Sequence, residues 1–133
     1  MKRLALIALL ALTACGTGDD TVEALGNRIE ADLKALDGVS DVVVQYRSDL
    51  DNRQRLTVTA TTRNQPIADQ ALEIVKRDYW TGTGRRVDFS VRFGNPTGVE
   101  LRKSDVTFKL GDVVEMERKY GKRSEAGELD PGR

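Results

Sequence analysis

The sequence predicts an α+β domain in which two helices pack on one face of a three- to four-stranded antiparallel sheet, followed by a short C-terminal helix. Two stretches carry apolar residues at helical spacing, and at least three others alternate apolar and polar residues as strands do. The helices and the strands are each apolar on one side only, so they bury those sides against each other in two layers. We expect one domain over residues 20–121.

The first helix is expected to begin at Asp20, because an acidic Glu23 three residues later completes a typical N-terminal capping pattern. Gly38 is expected to end this segment, since glycine readily adopts the left-handed conformation that follows a helix. The apolar positions recur every three or four residues, at Val22, Leu25, Ile29, Leu33 and Leu36. This spacing places them in one stripe along the helix.

Two alternating runs predict a β-hairpin with a polar loop over residues 48–54. The apolar positions of the first run are Val42, Val44 and Tyr46, and those of the second are Leu56, Val58 and Ala60. The second run alternates with Thr57, Thr59 and Thr61. One face of an antiparallel sheet is often solvated, so this threonine face is expected to point to solvent.

A second helix is expected to open at Pro66, with Asn64 or Gln65 as its cap, and to end within residues 81–84. Alternation over residues 86–93 predicts a third strand, and residues 94–98 form a turn. A fourth strand is expected at residues 99–103 or 106–110. A short helix over residues 112–120 precedes residues 122–133, whose charged and small residues are typical of a disordered or loosely docked tail.

The order of elements from Asp20 to Phe93 resembles the α-β-β-α-β module of BON domains in bacterial envelope proteins. The run Leu36-Asp37-Gly38-Val39, which leads into a strand, carries much of this resemblance. The chain differs from the BON pattern in that no glycine follows the first strand or closes the second. Tyr120-Gly121-Lys122-Arg123, with Leu129-Asp130 downstream, resembles the end of small actinobacterial lipoproteins for which no activity is known.

The N-terminal residues 1–14 have the pattern of a secretory signal peptide: Lys2 and Arg3 precede an apolar run that ends at Ala14. This run is shorter than the roughly 20 residues that a membrane-spanning helix needs. Leu12-Thr13-Ala14-Cys15 resembles the lipobox of bacterial lipoproteins. The resemblance implies cleavage after Ala14 and lipid transfer to the Cys15 sulfur. Residues 15–19 are then the lipidated cysteine and a short tether.

A lipidated Cys15 implies a protein anchored to the cell membrane on its extracytoplasmic side, because two acyl chains hold a protein stably in a bilayer. An ordinary secreted protein with a chance cysteine near its cleavage site is one alternative. A thiol catalyst at Cys15 is another, but the chain has no histidine to act as its base. Histidine and a second cysteine are both absent, so zinc, haem and copper lack their usual ligands, and no cofactor is expected.

Nucleic acid is not an expected partner, because residues 15–133 carry a net charge of only about −2 and no strong field of either sign. The candidate binding patch comprises Trp80, Arg85, Arg86 and Tyr120. An aromatic ring beside arginines can stack on a sugar or hold a carboxylate or phosphate. In the alternative interpretation, Tyr79 and Trp80 cap the edge of the core and the arginines are ordinary surface residues.

Two further clusters allow a functional and an ordinary interpretation. Asp49, Asp51 and Asn52 could offer oxygens to calcium, although the spacing lacks the EF-hand glycine and glutamate and fits a solvated turn better. The mixed charges of residues 115–123 form either a recognition segment for a protein or a solvated helix end. We find no catalytic pair and no metal-ligand motif in the sequence.

These observations predict a non-catalytic binding or scaffolding module that acts on an envelope protein or a cell-wall polymer. A carrier of a small lipid or sugar is the first alternative, and it would need a cavity between the helices and the sheet. An envelope enzyme that uses carboxylates is the second, and it would need a pocket with buried ionisable residues.

Overall fold

A computed structural model describes residues 20–48, 53–82, 87–106 and 110–123. Its elements in chain order are α1 (Asp20–Lys34), β1 (Val39–Ser48), β2 (Gln54–Thr62), α2 (Gln65–Gly82), β3 (Asp88–Gly94), β4 (Glu100–Ser104) and α3 (Leu110–Tyr120). Within these ranges, no helix is both long enough and apolar enough to cross a membrane. The lipobox residues Leu12, Thr13, Ala14 and Cys15, the loop residues Asp49, Asp51 and Asn52, Arg85 and Arg86, and residues 124–133 lie outside the described part.

The α+β class is confirmed, but the prediction of a purely antiparallel sheet is wrong. The four strands lie in the order β1-β2-β3-β4, and β2 and β3 run parallel while the two outer pairs are antiparallel. Neighbouring parallel strands need a crossover connection, and α2 provides it between β2 and β3. Apolar alternation identifies a strand but carries no information about its direction, which is why the sequence did not reveal this pairing.

A β-bulge near the start of β1 changes which side chains of that strand face the core. The register with β2 shifts by one residue between Ser40 and Val43, and Asp41 adopts a positive φ of 51°. One extra residue moves every following side chain to the other face of a strand. Val39 therefore packs against the core together with Val42 and Val44, although simple alternation would separate them.

The core lies between the two long helices and one face of the sheet, which we call the covered face. Leu56 and Val58 of β2 are fully buried there, and Thr57 between them is exposed. The opposite side, which we call the open face, presents the alternate strand residues. From β1 to β4 these are Val43, Gln45 and Arg47, then Arg55, Thr57, Thr59 and Thr61, then Asp88, Ser90 and Arg92, and finally Lys103.

Two helix ends follow the expected local chemistry. The Asn64 side-chain oxygen accepts the Ile67 backbone N–H at 3.1 Å, so Asn64 rather than Gln65 caps α2. Gly38 has a φ of 95°, and its carbonyl accepts the Arg63 N–H at 2.8 Å. These contacts fix the turn after α1 against the turn before α2 at one end of the sheet.

Candidate functional site

Four charged side chains meet between α1 and α2, and we call them the interhelix charge cluster: Arg28, Asp32, Arg77 and Asp78. The Asp78 side chain is 0% exposed, and its Oδ1 lies 3.3 Å from Arg28 Nε and 3.1 Å from Arg77 Nη2. Arg77 Nη2 also donates to Asp32 Oδ2 at 3.0 Å. The cluster therefore joins the two helices through ion pairs that have one buried member.

The pKa of Asp78 is raised from its usual 3.8 to about 6, chiefly by burial and also by the proximity and negative charge of neighbouring Asp32. Arg28 and Arg77 oppose this shift but do not cancel it. Within the described residues, Asp78 Oδ2 has no hydrogen-bond donor. A proton on Asp78 directed at Asp32 would give that oxygen a hydrogen bond, which agrees with the raised pKa of this carboxyl group.

A carboxyl group with this pKa is a typical candidate for acid–base chemistry. A cleft of about 400 Å³ beside the cluster is lined by Thr21, Ala24, Leu25, Arg28 and Gly82. Asp78 does not line this cleft, although its partner Arg28 does. The carboxyl group is therefore enclosed by its ion-pair partners and by the helix packing, without a described path to a substrate.

Polar and cationic side chains dominate the open face. Arg47 of β1 lies directly opposite Arg55 of β2, and Arg92 lies opposite Lys103. Two acidic side chains contact arginines at or beside this face: Asp88 Oδ2 lies 3.5 Å from Arg53 Nε, and Glu100 Oε1 lies 3.7 Å from Arg92 Nε. A cleft of about 540 Å³ opens beside the first row, lined by Gln45, Tyr46, Arg47, Arg55 and Thr57.

Trp80, the first residue of the predicted binding patch, is 2% exposed. Its indole N–H donates to the Gly121 carbonyl at 2.7 Å, and the Arg123 guanidinium lies 5.4 Å from its ring. The neighbouring Tyr79 is also buried, and its hydroxyl accepts the Val87 N–H at 3.0 Å. In this arrangement the Trp80 ring contacts the protein itself and offers no surface for a sugar.

Tyr120, the last residue of the predicted patch, fastens α3 to α2. Its hydroxyl donates to Glu73 Oε2 at 2.8 Å, and Lys119 Nζ donates to the same oxygen at 3.2 Å. Partial burial raises the pKa of Glu73, but these two hydrogen bonds outweigh it and hold that pKa below its usual value. Burial and the Glu73 carboxylate both raise the pKa of the Tyr120 hydroxyl. These residues of the charge run thus make contacts between helices.

The structure therefore describes only two of the four residues of the predicted patch. Trp80 and Tyr120 both lie at the junction of α2 with the end of α3, and Arg85 and Arg86 lie outside the described residues. The sequence analysis missed Asp78. A signal was present, because Asp78 follows Val75 by three positions and precedes Tyr79, which places a charge in the apolar stripe of α2.

Metal binding has no candidate centre in the described part of the chain, where no three His, Cys, Asp or Glu residues are grouped to hold an ion. Comparison with protein-family models, with curated proteins and with solved structures gave no match. Any functional assignment therefore depends on the residues and geometry described above.

Proposed function

We propose that this protein is a lipoprotein of the bacterial cell envelope, anchored to the cell membrane through Cys15, with a domain that acts as a non-catalytic binding module on the extracytoplasmic side. The resemblance of Leu12-Thr13-Ala14-Cys15 to a lipobox supports the anchor. The resemblance to BON modules of envelope proteins supports the location. A tethered domain meets its neighbours at high effective concentration, so weak binding is sufficient.

The observation that carries the binding proposal is the chemistry of the open face. Threonine and serine hydroxyls lie among guanidinium groups, and Arg47 lies directly opposite Arg55. Like charges placed directly opposite each other in a sheet reduce stability. Asp88 lies opposite Arg55 on its other side and offsets part of this repulsion, so the support for a binding role comes from the hydroxyl and cationic groups that the face presents together.

A cell-wall polymer with hydroxyl and anionic groups fits this face better than a protein does. The centres of protein interfaces are enriched in aromatic and other apolar side chains. On the described part of the open face, Val43 is the one large hydrophobic residue that is exposed. Hydroxyls and arginines are instead suited to hydrogen-bond sugars and to pair with acidic groups.

Binding to purified cell walls tests this proposal. The double variant Thr57→Glu/Ser90→Glu places two acidic groups side by side on the open face, where the wild-type residues are exposed and paired across β2 and β3. We expect it to bind insoluble cell-wall polymer at least tenfold more weakly in co-sedimentation. The matched control, Asn27→Glu/Ala31→Glu, adds the same charge to the exposed side of α1 and should bind as wild type does.

Equal binding by the two double variants would overturn the assignment to the open face. A photo-crosslinker at Thr59 in intact cells tests whether the partner is an envelope protein instead. One dominant protein adduct at this position, together with no binding to cell walls, would show that the partner is an envelope protein and not a polymer.

The anchor is tested separately by Cys15→Ser. We expect this variant to leave the membrane fraction or to accumulate with its signal peptide attached, because no other cysteine is present to accept the lipid. Continued incorporation of labelled fatty acid into the variant would contradict lipidation at Cys15.

The two alternative functions have less support in the geometry. A small-ligand carrier needs space between helices and sheet, and the described side chains there form one continuous core. An enzyme would have Asp78 as its best acid–base group, but Asp78 does not line the cleft beside it. The geometry therefore favours a binding module over a carrier or an enzyme.

A further inference from the structure

β1 lies at one edge of the sheet, so within the described part of the chain no strand pairs with its outer side. After the bulge, its pairing with β2 continues without interruption from Val43 to Ser48. The backbone N–H and C=O groups along such an edge can bind a further strand. The other edge is less suited to this, because β4 has only five residues and the Gln65 side chain donates to its Leu101 carbonyl at 3.2 Å.

The apolar residues of β1 are incompletely buried. On the covered face, Val42, Val44 and Tyr46 pack against the core, but each keeps part of its surface exposed. The equivalent apolar residues of β2 are buried. On the open face, Val43 is 48% exposed. A further strand at this edge would therefore bury apolar surface on both faces of the sheet.

The sequence of β1 is complementary to itself when two copies run antiparallel. Because alternate residues lie on opposite faces, two copies continue one sheet only if their pairing is centred on a residue. A pairing centred on Val44 places Val44 opposite its own copy and Val42 opposite Tyr46, all on the covered face. On the open face it places Val43 opposite Gln45. Apolar residues therefore meet apolar residues along the covered face.

This register also brings together the two charged residues of β1, since Asp41 lies opposite Arg47 of the second copy. The Asp41 carboxylate is on the open face, where it accepts a hydrogen bond from Thr61 Oγ1 at 3.4 Å. Arg47 lies opposite Arg55 in its own chain, and Asp88 lies on the other side of Arg55. The second copy's Asp41 completes a row in which each arginine has an acid beside it, which reduces the repulsion between the two arginines.

We infer that two copies of this chain associate antiparallel through β1 and form one continuous sheet about a two-fold axis centred on Val44. Residues 41–47 then form about four to six backbone hydrogen bonds between the copies. Each copy uses its β1 edge once, so the assembly closes as a dimer. Thr57 and Ser90, at the centre of the open face, stay uncovered. The dimer therefore presents two of the proposed polymer-binding faces next to each other.

The helices leave room for this pairing. Gly26 of α1 lies over the gap between β1 and β2, because a Cβ atom there would be 3.4 Å from Val44 Cγ1 and 3.0 Å from Leu56 Cδ2. The α1 helices of the two copies are then about 10 Å apart, which is an ordinary distance between packed helices. The two-fold axis is perpendicular to the sheet, so both helix layers lie on the same side. The anchors proposed at Cys15 can therefore both reach one membrane, which raises the effective concentration of the copies.

Disulfide crosslinking tests the register at Val43 and Gln45, which are both exposed. Directly opposite Cα atoms in an antiparallel pair are about 4.5–5.5 Å apart, a distance that a disulfide bridges. Two copies of position 43, or of position 45, are diagonal neighbours about 7–8 Å apart and are poorly placed for a disulfide.

The full-length variants Val43→Cys and Gln45→Cys carry different affinity tags and are reconstituted into phosphatidylcholine vesicles, either together or separately. With a mild oxidant, we expect the mixture to form disulfide dimers at least tenfold faster than either variant alone. Cys15 is present in every sample, so the comparison is the same whether or not its sulfur is acylated. Equal rates in the mixture and in the separate samples would overturn the inference.

A charge exchange tests the contact between Asp41 and Arg47. In the crosslinking mixture, Asp41→Lys should slow dimer formation at least tenfold, because it places like charges opposite each other. Addition of Arg47→Asp restores opposite charges and should recover most of the rate. Any strain of lysine at the positive φ of position 41 is common to the two variants. The control Asp105→Lys makes the same change of charge at an exposed position outside β1 and should leave the rate unchanged.

Two further outcomes would overturn the two-fold pairing. The first is a charge exchange that recovers none of the lost rate. The second is a photo-crosslinker at position 43 that captures a different envelope protein in intact cells, while positions 43 and 45 form no disulfide in vesicles. That result would assign the β1 edge to a strand of the other protein.

Discussion

Alternate residues of each strand lie on opposite faces of the sheet, and the two faces differ in burial and polarity. On β2, Leu56 and Val58 are fully buried under the helices, and Thr57 and its neighbours on the other side meet solvent or other polar groups. The covered face therefore holds the fold together, and the open face contributes little to that task. We therefore expect substitutions on the open face to change its surface chemistry without loss of the fold.

The largest expected contrast compares two adjacent residues of β2. Leu56→Ala removes a fully buried side chain from the covered face and should lower the free energy of unfolding by about 2–5 kcal/mol. Thr57→Ala alters an exposed side chain and should change it by no more than about 0.5 kcal/mol. Urea denaturation followed by circular dichroism measures both. A comparable loss in the two variants would mean that the open face is covered by further protein.

The interhelix charge cluster is the exception among the covered residues, and it gives the second prediction. The pKa of Asp78 is raised from 3.8 to about 6 in the folded protein. Between pH 3.8 and about pH 6, Asp78 therefore stays protonated in the folded protein but has lost its proton in the unfolded chain. The stabilisation from this proton is complete below about pH 4 and is lost as the pH rises through about 6. Asp78→Asn, which cannot ionise, should remove this dependence.

The difference in unfolding free energy between wild type and Asp78→Asn should change by on the order of 2 kcal/mol between pH 4 and pH 7, at about 1.4 kcal/mol per unit of pKa shift. The control Asp69→Asn should keep the wild-type slope in this window. Hydrogen bonds from Arg102 and Gln65 hold the pKa of Asp69 below its usual value, so its contribution is lost only at lower pH. A wild-type stability that does not fall between pH 4 and pH 6 relative to Asp78→Asn would contradict the burial of an ionisable Asp78.

The smallest expected effect concerns the attachment of α3. Tyr120→Phe removes the hydroxyl that donates to Glu73 at 2.8 Å and leaves the ring in place. We expect a loss of about 1 kcal/mol in the free energy of unfolding, the usual net contribution of one hydrogen bond. Lys122→Ala, at an exposed position two residues away, serves as the control and should have almost no effect. No measurable loss in Tyr120→Phe would mean that the Tyr120–Glu73 hydrogen bond does not contribute to the attachment of α3.

Local sequence signals predicted the elements well. The stripe from Val22 to Leu33 is buried as expected, Asn64 caps α2, and Gly38 adopts a left-handed conformation after α1. The fourth strand lies at Glu100–Ser104, in agreement with the first of the two positions that the sequence allowed. These features depend on residues within a few positions of each other, so the chemistry that sets them is visible in the chain itself.

Contacts across the sequence were not predictable in the same way. The bulge at Asp41, which brings Val39 into phase with Val42, requires knowledge of the partner strand. The hydrogen bond from Trp80 to Gly121 joins residues 41 positions apart. An aromatic residue next to arginines has the same local sequence pattern whether it faces a ligand or the core. Only the tertiary packing distinguishes these two possibilities.

The sequence by itself determined where the helices and strands lie and which side of each is apolar, because periodicity is a local property of the chain. Only the tertiary structure decided that β3 runs parallel to β2 and that Asp78 is buried between two arginines. Strand direction and burial depend on which distant segments come together. That choice follows from the total packing of the chain, which no single segment contains.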